Sequence, residues 1–160
     1  MVLRYSIRNL LLVIAAALLL SACATQTTKK IETQISGDTF TGEETVKYLA
    51  TGVPDRVFFA TNKSVLTTAS RDTLRKQAAW LRENKSINVT VEGHADERGT
   101  REYNLALGER RATGILNYLI VNGAARSQIE TVSYGEEQPQ DRGSSDQAYQ
   151  RNRRVEIVGQ

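Results

Sequence analysis

Several kinds of chemistry are missing from this chain, and each absence narrows what it can do. Among 160 residues there is one cysteine and one histidine. The lone thiol, Cys23, rules out an intramolecular disulfide framework and a cysteine-built zinc site. His94 stands beside Asp96 and Glu97, but no second histidine or ligand cluster at zinc-like spacing accompanies it, so no metal and no cofactor is expected. Gly93 and Gly99 are separated by charged residues, unlike the glycine fingerprints that cradle phosphate. No serine or cysteine after Cys23 sits in a nucleophile-elbow context, and no internal repeat is present. Net charge is also low. The +3 of the full sequence includes Arg4 and Arg8, so beyond the first 22 residues 21 − 2 = 19 basic residues face 18 acidic ones, which argues against nucleic acid or another polyanion as partner.

What is present begins with an apolar run from Leu10 to Leu20 behind Arg4 and Arg8. The run is shorter than the roughly 20 residues a membrane-spanning helix needs, and it ends in small residues, which is the pattern of a signal peptide over 1–22. Its last four residues, Leu20-Ser21-Ala22-Cys23, resemble the bacterial lipobox, whose cysteine becomes the acylated first residue of a lipoprotein. Ala24 rather than aspartate follows, which by the same resemblance implies passage to the outer membrane. Each buried methylene of a fatty chain contributes about 0.8 kcal/mol, so several chains on Cys23 would form a lasting anchor. Residues 23–54 are rich in Thr, Ser, Lys, Gln and Gly without sustained periodicity and read as a flexible tether. Some thirty such residues average about 30 Å end to end and stretch to about 100 Å.

A folded domain is expected over 55–160, one core's worth of chain. Val57-Phe58-Phe59 predicts a short strand, and Thr67 or Thr68 caps a helix with Leu74, Ala78 and Leu81 on its inward stripe and Trp80 at its flank. Ile87, Val89 and Val91 alternate toward Gly93 as a second strand. A second helix runs from Arg101 to Val121 with Leu105, Ala112, Leu116 and Leu119 inward, stopped at Gly123. Ile129 to Tyr134 and Val155 with Ile157 make two more strands, with a short helix around Asp146 to Gln150 between them. The order βαβαβ(α)β predicts an α/β (α+β) two-layer sandwich, one mixed four-stranded sheet with helices on one face.

The most informative stretch lies between Val91 and Ala112. Asp96 falls in a glycine-flanked turn after a strand, while Asn104 and Arg111 are seven residues apart, two helical turns and therefore close to one stripe. A carboxylate and a guanidinium on facing sides of a gap would grip a ligand that carries both an ammonium and a carboxylate. Asp96 as a turn or cap residue, and Arg111 as a solvated helix arginine, are the plain structural alternatives. Arg153 and Arg154 are neighbours on a strand and so point to opposite faces, one able to close such a gap while the other meets solvent.

Four blocks in order carry a resemblance: Val89 through Thr100 (Val-Thr-Val-Glu-Gly-His-Ala-Asp-Glu-Arg-Gly-Thr), then Tyr103-Asn104 with Leu107-Gly108-Glu109-Arg110-Arg111-Ala112, then Val132-Ser133-Tyr134-Gly135-Glu136, and Asn152-Arg153-Arg154-Val155. Together, over roughly 57–158, they resemble the OmpA-like peptidoglycan-binding domain family, and with the lipobox and tether its lipid-anchored branch, the peptidoglycan-associated lipoproteins. The resemblance implies non-covalent binding of the meso-diaminopimelate of the peptidoglycan stem peptide, with Asp96 and Arg111 holding its amino-acid end and Arg98, Asn104 and Leu107 lining the pocket. It also implies a second partner, periplasmic TolB, and with it the Tol system of envelope constriction. Ala60, Asn62 and Ser64 stand where that family usually carries two acids and an aromatic, and Asn62 offers an amide or backbone contact instead. Two other readings remain open: a peptidoglycan hydrolase using Asp96 or Glu92 as general acid, and a structural lipoprotein with a degenerate pocket.

Overall fold

The computed structural model describes residues 48–160; the expected signal peptide, Cys23 and most of the expected tether lie outside them. The first described element is a hairpin, β1 (Tyr48–Ala50) and β2 (Val53–Pro54), turned at Gly52 with φ 75°. Regular structure is therefore present several residues before Asp55. Strands of three and two residues are too short to show a period, so nothing in the sequence separated them from the tether. Gln77 donates through Nε2 to the Pro54 carbonyl at 2.6 Å and fastens the hairpin to the first helix.

Next come β3 (Arg56–Phe58), α1 (Thr68–Glu83), β4 (Val89–His94), α2 (Arg101–Val121), a 3-10 turn at Arg126–Gln128, β5 (Ile129–Gly135), α3 (Asp146–Asn152) and β6 (Arg154–Gly159). The sheet order is β3-β6-β4-β5, with β6 antiparallel to both neighbours and β4 parallel to β5. This is the expected mixed four-stranded sheet, the parallel pair being joined through α2 as a parallel connection requires.

Each helix begins where a hydroxyl can accept a free amide. Thr67 accepts from Ser70 N, Thr100 from Tyr103 N and Ser145 from Ala148 N. Leu74, Ala78 and Leu81 of α1 and Ala112, Ile115, Leu116 and Leu119 of α2 meet Val57, Val89, Val91, Ile129, Val155 and Ile157 of the sheet in one core, with Trp80 at its margin. Leu105 departs from expectation and is half-buried. The inward stripe of α2 instead runs through Asn104, Leu107, Gly108 and Arg111, and Leu105 lies one helical step, about 100°, off it. At Gly108 the helix touches the sheet: a side chain there would come within 2.3 Å of Ser133 Oγ, and one on Gly93 within 2.0 Å of the Gly108 carbonyl oxygen. Only hydrogen fits at both positions.

The second face of the sheet carries a row of charged residues. Arg56, Glu156 and Glu92 lie directly across three strands from one another. Arg56 pairs with Asp55 at 2.8 Å and with Glu156 at 3.1 Å, and Arg154 also donates to Glu156. Arg154, expected as a possible solvent-facing partner of Arg153, is buried in this ladder and donates to the Gln138 carbonyl of the loop after β5.

Candidate ligand-binding site at the end of β4

β4 positions the site and the turn after it supplies the charge. Ala95 N donates to the Gly135 carbonyl at 2.8 Å, which extends the β4–β5 register one step past the bulge at Gly93 and His94. The chain then turns through Asp96 to Gly99, whose φ of 119° suits glycine, and enters α2 at its Thr100 cap.

The Asp96 side chain is 7 % exposed and nearly surrounded by donors. Its Oδ1 accepts from Arg98 N and Arg98 Nε, both at 3.2 Å, and its Oδ2 from Arg98 Nη2 at 2.7 Å and Arg153 Nη1 at 3.2 Å. Burial pushes the carboxyl up, but the hydrogen bonds from Arg98 and Arg153 outweigh it and hold the pKa below the ordinary aspartate value. Asp96 is an anion at neutral pH. The fork of Arg98 takes it two-pronged, yet the Arg98 side chain is 44 % exposed, its Cζ 4.5 Å above the Tyr149 ring and its Nη2 3.4 Å from Thr61 Oγ1.

Asn104 braces the turn from the helix. Its Nδ2 donates to the carbonyls of Asp96 (3.1 Å) and Arg98 (3.3 Å) and to the Glu136 carboxylate. Leu107 is buried on the same stripe, between Asn104 and Arg111. Asn62 is exposed in the turn from Ala60 to Lys63 and has φ 55°, a left-handed conformation asparagine tolerates.

Arg111 is only 1 % exposed, and it does not pair with Asp96 across an open gap as the helical spacing suggested. It donates to three backbone carbonyls: His94 at 2.6 Å, Lys63 at 2.9 Å and Ala60 at 3.2 Å, with Cζ 5.0 Å above the Phe59 ring. Burial first, then the Arg153 charge, lowers its pKa to about 10, and Asp96 partly offsets them. The cation facing Asp96 from the interior is Arg153, whose Nε donates to the Phe59 carbonyl at 3.0 Å. Arg111 and Arg153 thus both hold the segment after β3 against the β4 turn. The same-stripe argument put Arg111 on the correct side of the helix but could not foresee that loop carbonyls would reach it first.

Spacing alone did not single out Tyr149, Glu97 or Glu136. Tyr149 Oη donates to Glu97 at 2.9 Å, as does Ser144 Oγ, so the segment before β6 is joined to the Asp96 turn. A cavity of about 220 Å³ lies alongside, between Ala95, Glu97, Glu136 and Asn152 among others. The hint was the family-like Gly135-Glu136 and Asn152-Arg153 blocks; no periodic pattern marks residues in the intervening loops. Among the described residues no group of three or more His, Cys, Asp or Glu is arranged to hold a metal ion.

Fold and site together define a two-layer α/β domain with a charged turn at the carboxyl end of the inner strand β4, braced by a long helix. A family model described as the OmpA family matches residues 58–153, and the chain belongs to that family. Its relatives include the peptidoglycan-associated lipoprotein of Mesorhizobium japonicum, 51 % identical over 87 residues that make up 54 % of this chain and 52 % of that protein. The protein of the same name from Brucella melitensis is 44 % identical over 106 residues, 66 % of this chain and 63 % of the relative. The matched stretch thus spans about half to two thirds of these curated relatives. The crystal structure of the peptidoglycan-associated lipoprotein from Burkholderia pseudomallei superposes with a TM-score of 0.65 at 33 % identity, covering 66 % of this chain and 90 % of that one. The C-terminal domain of Helicobacter pylori MotB shares the fold at 22 % identity and a TM-score of 0.63.

Proposed function

We propose that this chain is an outer-membrane lipoprotein, acylated at Cys23, whose periplasmic domain holds peptidoglycan without cutting it. The ligand is the diaminopimelate of the stem peptide, and the site is Asp96 and Arg98 with Asn104, Leu107, Arg111 and Asn62. One observation carries the reading: a carboxylate fixed from beneath by Arg153 is paired on its outer side with a guanidinium that is nearly half exposed. Because the Asp96 carboxylate is buried, Arg98 leaves at low cost only when another cation takes its place on the carboxylate. A zwitterionic amino-acid end then replaces both partners at once, its ammonium on Asp96 and its carboxylate on the fork of Arg98. Arg111 and Asn104 act from behind, keeping the loop at Ala60–Lys63 and the turn at Asp96 in place.

Two charge-assisted bonds at about 1.5 to 3 kcal/mol each give modest affinity after association costs. A tethered domain beside a polymer that repeats the ligand needs no more, because release from one site is followed by capture at the next. The names of the relatives support peptidoglycan as the ligand, and the family resemblance extends the proposal to its diaminopimelate, to TolB and to the Tol system at constriction sites. The hydrolase alternative lacks a suitable acid. Asp96 is held ionised, and Glu92, though pushed upward by burial and by Glu156, lies in the ladder on the polar face of the sheet.

The test is co-sedimentation of the full chain with purified sacculi, with muropeptide release followed in parallel. Wild type is expected to pellet and release nothing, while Asp96→Ala and Arg98→Ala, checked for folding by circular dichroism, lose at least tenfold in binding. A folded pair of variants that pellets like wild type refutes the site, and soluble muropeptides refute the non-enzymatic reading. Stem peptide with diaminopimelate should outcompete its lysine counterpart, which lacks one carboxylate.

A further inference from the structure

A second cavity, of about 530 Å³, is not at Asp96 but along the free edge of the sheet, between α2 and β5. Its floor is small or short: Leu105 and Ala106 from the helix, Thr131 and Ser133 from the strand. Glu102 and Glu109 rim it, both exposed and neither in an ion pair among the described residues. They are seven residues apart, about 10 Å along the helix. β5 is the edge strand on this side, seven residues long and regular from Ile129 to Ser133, with no proline or lysine along it, and among the described residues it has no strand partner beyond β4. The opposite edge, β3, is only three residues long. Long, unblunted edges invite another strand, and most proteins suppress them with short strands, lysine or proline.

We propose that this edge takes an extended, lysine- or arginine-bearing segment of a partner protein, which adds to β5 as a fifth strand. Backbone bonds to β5 supply the register, and two basic side chains reach Glu102 and Glu109 across the groove. Alternate residues of a strand share a face, so side chains four apart are about 13 Å from each other, within flexible reach of carboxylates about 10 Å apart. Charge also selects the occupant. A second copy of this chain pairing edge to edge would bring Glu102, Glu109 and the exposed Glu130 of both copies together, and like charges across a sheet destabilise it. The groove is separate from the Asp96 turn, so this inference stands whether or not the wall-binding reading does.

The experiment uses the full chain in detergent and an acetylated octapeptide of alternating threonine and valine with lysines at its third and seventh positions. Anisotropy titration gives affinity, and hydrogen exchange reports the amides of residues 130–133. The lysine peptide is expected to bind and slow exchange there, whereas a peptide with glutamate in place of lysine binds at least tenfold more weakly. Glu102→Gln with Glu109→Gln should weaken binding at least tenfold, and Ala106→Arg, which fills the groove with a cation, should abolish it. Sacculus binding by these variants is expected to match wild type. Lysine-peptide binding without added protection at 130–133, no binding at all, or equal affinity in the double variant overturns the proposal.

Discussion

Acidification should weaken this fold through one buried ring. His94 is 1 % exposed on the polar face of the sheet, stacked on Tyr134 with ring centroids 5.6 Å apart, and neither ring nitrogen has a hydrogen-bond partner among the described residues. The nearest acid, Glu92, stands 3.9 Å from Nε2, while Arg154 and Arg56 repel a proton on the ring. Burial first, then those two arginines, pulls the imidazole down to about 3. A base whose folded pKa is depressed favours the unfolded chain once the unfolded form takes up its proton. The stability it contributes is whole above about 6.5 and drains away as pH falls toward 3. At about 1.36 kcal/mol per unit the full loss is on the order of 5 kcal/mol, and about 3 kcal/mol of it falls between pH 6.5 and 4. That is a large share of the roughly 5 to 15 kcal/mol that holds a domain folded.

The discriminating variant is His94→Phe, which keeps a ring against Tyr134 and removes both unpartnered nitrogens. At pH 7 it should unfold in urea within about 1 kcal/mol of wild type or later, because deleting an unsatisfied buried polar group relieves a cost of about 1 to 3 kcal/mol. At pH 4 it should exceed wild type by about 3 kcal/mol more than at pH 7. Carboxylates that titrate over the same range cancel in the difference between the two proteins. A gap that changes by less than about 1 kcal/mol between the two pH values would show that His94 is not the group responsible.

Arg111→Lys keeps the charge but loses the fork that serves the carbonyls of Ala60, Lys63 and His94. Stranding two of them should cost about 2 to 4 kcal/mol in urea unfolding, and an unchanged midpoint would contradict its role as an internal brace. Gly108→Ala would press a methyl group against Ser133 Oγ and the Gly93 carbonyl, so it should lose about 1 to 3 kcal/mol, read from its thermal midpoint, and an unchanged midpoint would contradict the close approach.

How far the sequence could be read depended on how far apart cause and effect lie along the chain. The ends of α2 were legible because its cap at Thr100 and its stop at Gly123 are local devices, and the structure has that helix at Arg101–Val121. The sheet members were legible from alternation, although Ile87 turned out to precede its strand, packing against the core from the loop. The hairpin at Tyr48–Pro54 was not, since a two-residue strand has no period to detect. In the site, Asp96 was legible as a charged residue in a turn, but its actual partners were not. Arg153 lies 57 residues away and meets Asp96 only because β6 pairs beside β4. Arg111 likewise meets Ala60 and Lys63 only because β3 ends near the same edge of the core.

Those long-range contacts explain why a charged turn can be both firm and open. Arg153 and Asn104 hold the inner side of Asp96 and its backbone with donors that are themselves buried, so the carboxylate cannot rotate away when an outer partner leaves. Arg98, by contrast, rests on the half-buried ring of Tyr149 with its own side chain 44 % exposed, so water can solvate the guanidinium when a ligand ammonium takes its place on the carboxylate. Tyr149 is in turn tied to Glu97, next to Asp96, so a shift of Arg98 is registered by the segment that leads into β6. Two buried arginines and one half-exposed one meet around this turn because of one sheet order: moving β6 away from β4 would remove Arg153 and leave Asp96 dependent on Arg98, the partner that the proposed ligand would displace.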